Sequence, residues 1–168
     1  MYSYYLETHI MNKDTSLQDQ ILSTVIDFAS QWNAIENSIR NQMDAEEAII
    51  LKKNDGVYDH YAPRTDWFSL LNERISPLID HFCTKKPRIY GGKTQRSFGF
   101  PSKFNGIETA EKTAVEIKSK SRIEVYFKTT TMFDDEYLFI ILKKAGEWKI
   151  DGYKNRRYHK EKWNNQIL

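Results

Sequence analysis

Midway along the chain the spacing of apolar residues changes from one every three or four positions to one every two. That switch limits the fold more than any other feature of the sequence. Leu17, Ile21, Val25, Phe28, Trp32, Ile35 and Ile39 follow one another at steps of four, four, three, four, three and four. This is the spacing of a single buried helical stripe. Further on, Ile123, Val125 and Phe127 alternate with Glu124, Tyr126 and Lys128. One side of an extended strand is then apolar and the other polar. A chain with helices first and strands afterwards builds an α+β domain, its helices gathered against one face of a sheet.

The periodicity predicts three helices. The first spans about 17–43, with Thr15 and Gln18 placed as a capping box. A second starts near Asp44 and ends at Asn54-Asp55-Gly56, with Lys52 and Lys53 where the helix dipole favours cations. The third runs from about Asp66 to Phe82, and Pro77 inside it predicts a kink or a break. From Arg88 onward, Gly91-Gly92, Gly99, Pro101 and Asn105-Gly106 punctuate short segments. Tyr137–Leu142 is continuously apolar, the pattern of a central strand covered on both faces. Lys144–Glu147 reads as a hairpin turn. Trp148, Ile150 and Gly152 then alternate with Lys149, Asp151 and Tyr153, which sets Tyr153 on the polar side. The expectation is one domain over 1–168: helices at about 17–83, about four antiparallel strands at about 88–154, and a basic tail at 155–168. Such a sheet, twisted around its helices, makes a cone.

Charge and composition narrow the function. The 168 residues suit one core, and 25 basic against 23 acidic residues are interspersed for most of the length. That distribution lacks the concentrated basic footprint of a nucleic-acid binder. The run Lys154, Arg156, Arg157, Lys160 and Lys162, diluted by Glu161, reads as a solvated strand end and tail. Cys83 is the only cysteine, so no internal disulfide forms, and a lone thiol fits a reducing compartment. Met1–Ser16 lacks the pattern of a secretory signal, and Leu138–Leu142 is too short to span a bilayer. The expected setting is the cytoplasm, with no membrane partner.

Motifs for chemistry are weak. Gly91-Gly92-Lys93-Thr94 ends like a phosphate-binding loop, but Pro87 stands where the opening glycine belongs and no helix pattern follows. His9, His60, His81 and His159 lack metal-ligand spacing. Cys83 follows the apolar Phe82 near a helix end, where a small buried residue is the ordinary role. Asp151 is a candidate acid for a catalytic cone, but it finds no polar partner in the pattern. We therefore expect no catalytic residue, no cofactor and no metal.

The segments Arg122–Thr129, Glu136–Lys144 and Gly146-Glu-Trp-Lys-Ile-Asp151 resemble the C-terminal strands of NTF2-like proteins. In particular they are similar to the NTF2-fold immunity proteins of bacterial polymorphic toxin systems. The resemblance covers residues 113–153 and implies an NTF2-like cone, three N-terminal helices on a curved, mainly antiparallel sheet. It also implies a cytoplasmic protein that binds and blocks a cognate toxin. The alternative within the same fold is an enzyme or small-ligand binder with an apolar pocket, and a homodimer across the open face is compatible with either. The expected partner-binding residues are Tyr126, Lys128 and Tyr153 on the polar sheet face, with Met132, Phe133, Asp134, Asp135 and Glu136 in the loop beside it. Apolar anchors ringed by charge have interface composition. Phe133 has a second option, tucked back onto the core. The three carboxylates would steer a basic, nuclease-like toxin.

Overall fold

The computed structural model describes the backbone of residues 2–168 and the side chains from Ser16 onward. Two long helices, not three, precede the sheet. Helix α1 is continuous from Tyr2 to Lys53. No glycine or proline interrupts that stretch, and Arg40 reaches Asp44 one turn on at 2.9 Å, spanning the expected break. Asp44 is therefore a helix-interior residue. The backbone is already helical at Thr15, whose side chain lies outside the described residues, so the helix does not start there. The expected stop is in place: Gly56, at φ +79°, donates its N–H to Leu51 O at 2.8 Å.

Helix α2, Trp67–Phe82, opens on Asp66, whose carboxylate accepts from Ser69 N at 3.0 Å. Pro77 does not break it. The helix turns Leu71, Ile75, Leu78 and Ile79 inward, one face of a 3.6-residue repeat.

Five strands follow: β1 Lys112–Ser119, β2 Arg122–Lys128, β3 Glu136–Lys144, β4 Glu147–Arg156 and β5 Asn164–Gln166. They form an antiparallel meander in the order β1-β2-β3-β4-β5. Two-residue turns join β1 to β2 and β3 to β4, and such turns impose antiparallel pairing. Ile123, Val125, Phe127, Tyr137, Phe139, Ile141 and Ile150 are buried in one core with Val25, Phe28 and Trp32 of α1, and Trp148 packs against its margin. The alternation read from the sequence thus holds for β2, and among the described residues the helices cover that face alone.

Residues 83–111 contain no regular strand, so the sheet begins at Lys112 rather than near Arg88. This segment fills the interior instead. Phe104 is fully buried, with its ring 5.6 Å from both Phe28 and Trp32, 5.3 Å from Phe139 and 5.0 Å from Tyr153. Two polar residues of α1 hold it there. The Asn33 amide donates to Phe104 O at 2.9 Å and accepts from Phe104 N at 3.0 Å. Glu36 accepts from Gly99 N at 2.9 Å and Lys103 N at 2.6 Å. A buried irregular segment needs such partners for its backbone.

The expected tail is also structured. β4 runs to Arg156, β5 pairs back on it, and Leu168 is buried. Leu168 O accepts from Gly92 N at 2.6 Å. A Cβ on Gly91 would collide with Ile167 and Leu168, which explains the glycine there. Among the described residues no helix is long and apolar enough to cross a membrane.

Candidate functional site

The helices leave one face of the sheet uncovered, and strand register puts its side chains in rows. One row reads Ala114, Tyr126, Leu138, Lys154 and Asn165 from β1 to β5. The row beside it reads Lys112, Lys128, Glu136 and Arg156, and the one on the other side Glu116, Glu124, Ile140 and Gly152. Leu138, Ile140 and Leu142 are half-buried by their neighbours within the sheet. The continuous apolar run of β3 therefore makes two faces of different character: Tyr137, Phe139 and Ile141 enter the core, and the other three form an apolar stripe on the open side. Expected cover on both faces is not found.

Tyr153 does not belong to this open face. It is 6% exposed and stacks on Phe139 at 5.7 Å inside the core. The strict alternation fails because β4 carries a bulge: Ile141 pairs with Ile150 while Ile140 pairs with Gly152, so Asp151 is an extra residue. Everything beyond the bulge shifts by one, and Tyr153 turns inward.

Tyr126, Glu136, Arg156 and Trp163 form a connected cluster on the open face. The Arg156 guanidinium binds the Glu136 carboxylate through Nε and, at 3.2 Å, through a second nitrogen. The Tyr126 hydroxyl donates to the same carboxylate. Trp163, the residue before β5, lies over Arg156 at 4.4 Å and meets Tyr126 edge-on at 6.2 Å. Burial alone would raise the Glu136 pKa, but the bonds from Arg156 and Tyr126 outweigh it and hold the carboxyl below its ordinary value. Burial, and then the bond to Glu136, pushes the Tyr126 phenol up to about 12. Tyrosine, tryptophan and arginine are the residue types that anchor protein interfaces, and here they are held in place before any partner arrives.

The β2–β3 loop lies at one end of this face. Met132 is 87% exposed. Phe133 is half-buried between Tyr158, at 6.0 Å edge-on, and Arg157, at 5.0 Å, so it packs on the β4–β5 connection rather than on the core. Asp134 faces His159 at 3.5 Å, an ion pair when the imidazole is protonated. Asp135 is buried and accepts from Arg157 at 2.7 Å and Thr131 at 2.8 Å. Glu136 is buried as described. Of the three carboxylates expected to steer a basic partner, two are thus neutralised inside the protein. Lys128 pairs with Glu111 at 2.8 Å. Arg156 and Trp163 escaped the sequence reading because the tail was judged by its charge run. The usable signal was the adjacent pair Arg156-Arg157 matching the adjacent pair Asp135-Glu136 on the neighbouring strand.

The other candidates have structural roles. Lys93 pairs with Asp80 at 2.5 Å, and Thr94 Oγ1 donates to Gly91 O at 3.0 Å, in a loop followed by no helix. Asp151 is tied to Lys86 at 2.6 Å and to Thr84 at 2.8 Å. Burial raises its carboxyl, and those two bonds bring it below the ordinary value. Cys83 is buried and its thiol is pushed up to about 12, which makes it a poor nucleophile. No metal-binding group of His, Cys, Asp and Glu occurs among the described residues. Phe104 is fully buried among aromatic rings inside the fold. Two clefts of about 420 and 640 Å³ lie by the 84–94 segment and the β3–β4 turn, not in the core. A second aromatic patch sits on the irregular segment and α2, where Phe68 meets Phe98 at 4.7 Å and Arg96 covers Tyr90 at 4.7 Å.

A family model described as NTF2 fold immunity protein matches residues 64–166, which take in α2, the irregular segment and all five strands. No curated protein and no solved structure matches the chain significantly.

Proposed function

The chain belongs to the NTF2 fold immunity proteins, and from that membership we propose that it binds one cognate protein toxin and silences it by covering the toxin's working surface. The carrying observation is the contrast between a filled interior and an open sheet face bearing a preformed Tyr126–Glu136–Arg156–Trp163 cluster. A closed core offers a substrate no bed, whereas a rigid, half-apolar face offers a partner one. Met132 at the loop tip and the stripe Leu138–Ile140–Leu142 extend the same surface. Tyr126, Lys128, Met132, Phe133 and Asp134 are the proposed contacts from the loop and face. Asp135 and Glu136 brace them from beneath. The setting proposed is the cytoplasm, supported by a single buried thiol and no disulfide.

The test is rescue of growth. Co-expression with its cognate toxin domain, sought first among neighbouring genes, should restore growth, and the two proteins should co-purify. Trp163→Ala should weaken rescue while the thermal unfolding of the free protein stays nearly the same. Failure of the unaltered chain to rescue any partnered toxin, with the protein folded, would end this reading.

A further inference from the structure

We infer that the toxin surface docking on the open sheet face is acidic around an apolar ridge, an inference that rests on the toxin-binding reading above. Cations on or at the edge of that face include Lys112, Lys118, Arg122, Lys128, Lys154 and Arg156. Four carboxylates reach them. Glu116 binds Lys118 at 2.6 Å, Glu124 binds Arg122 at 2.6 Å, Glu111 binds Lys128 at 2.8 Å, and Glu136 binds Arg156. Lys112 and Lys154 have no carboxylate partner among the described residues.

Lys154 is the decisive one. It is half-buried in the middle of the face, between Leu138 of β3 and Asn165 of β5 in strand register, one row from Ile140. Its side chain lies beside the apolar stripe and meets no carboxylate among the described residues. A carboxylate brought to it by a partner completes a charge-assisted hydrogen bond. The stripe Leu138, Ile140 and Leu142 beside it asks for an apolar ridge.

The same charges argue against the two other occupants. A basic surface would meet Lys154, Lys112 and the exposed Lys160 and Lys162 with like charge, while two of the loop acids, Asp135 and Glu136, are spent on Arg157 and Arg156. A second copy would set a face with a surplus of cations against another of the same net sign.

Two synthetic peptides of equal length test this, one interleaving glutamate with leucine and tryptophan, the other with lysine in place of each glutamate. They are titrated into the isotopically labelled full chain and followed by amide chemical shifts. The acidic peptide should perturb Tyr126, Leu138 and Lys154, and the effect should fade as salt shortens the screening length to a few ångströms. Lys154→Glu and, separately, the exposed Lys112→Glu should weaken binding, by about tenfold for the former. Equal or stronger binding of the lysine peptide at these amides, or no perturbation by the acidic one, would overturn the inference. So would a toxin neutralised equally well by the unaltered chain and by Lys154→Glu, a result that leaves the toxin-binding reading itself intact.

Discussion

The two faces of the sheet come from the same strands, often from adjacent residues, yet they are built for opposite ends. On the inner face Val125, Phe127, Phe139 and Tyr153 are buried, and the rings of Phe139 and Tyr153 pack on Phe104. On the outer face Tyr126, Leu138, Lys154 and Arg156 are interleaved with charge and only partly covered. Close packing makes the inner face intolerant of change, because a deleted ring leaves a cavity that its neighbours cannot fill. The outer face contributes less to folding and so is free to be shaped for a partner.

That division can be broken by mutation, and the largest effect should fall inside. Phe104→Ala removes the ring that five aromatic residues touch and should cost roughly 3–5 kcal/mol in denaturant unfolding. A loss below about 1 kcal/mol would mean the interior is not packed as described. Next comes Trp163→Ala, which should weaken toxin binding by about 2 kcal/mol, some thirtyfold, while changing stability little. A stability loss as large as the binding loss would merge the two faces into one. Arg156→Ala leaves the buried Glu136 carboxylate with Tyr126 alone and should cost about 1–3 kcal/mol of stability. Glu136→Gln in the same background should recover part of that loss. Ile140→Ser on the open face should lie within about 1 kcal/mol of the unaltered protein in unfolding, yet reduce toxin binding.

The pH dependence sharpens the same contrast. Burial raises the Cys83 thiol from 9.0 to about 12 and the Tyr126 phenol from 10.0 to about 12. Tyr137 and Tyr153 are raised too, chiefly by burial. A raised group stabilises the fold fully below its unfolded value and loses that contribution as pH climbs toward its folded value. Lys103 works in the other direction: burial lowers it from 10.5 to about 8, against the pull of Glu36, so it adds stability as pH rises between those values. Four groups outweigh one, and stability should decline above roughly pH 10. Cys83→Ala should soften that decline, and the native thiol should resist a thiol reagent until the protein unfolds. At acid pH, the lowered Glu136 and Asp151 have the opposite sign, and their stabilisation should fade as pH falls below about 4.5 and 3.8 respectively.

Much of the inner face was legible because burial imposes a period. The α1 stripe and the alternation of Ile123, Val125 and Phe127 follow directly from side-chain direction in helices and strands. Three things were not legible, each for a local reason. The helix break at Asp44 was read from charge placement, but nothing in residues 40–47 disrupts a helix, and Asp44 serves Arg40 instead. Tyr153 was put on the wrong face because one bulged residue inverts every later position; Gly152, a glycine inside a strand, was the clue. The interior role of residues 99–104 depends on long-range partners, Asn33 and Glu36, that no local pattern announces. For the site, the loop Met132–Glu136 stands out in the sequence, but two of its acids, Asp135 and Glu136, turn inward to arginines from a stretch that reads as solvated tail. The part of the site that faces a partner is set by strand register, and sequence spacing does not give register without the pairing.

Oxidative footprinting of side chains tests the division most directly, since tryptophan, tyrosine and methionine all react when solvent reaches them. Radical labelling of the chain alone and in its toxin complex should show Trp163, Tyr126 and Met132 shielded in the complex, with Tyr90, Phe68 and Phe98 labelled as before. Shielding of that second patch, with Trp163 and Met132 as reactive as in the free protein, would contradict an open sheet face as the toxin's seat.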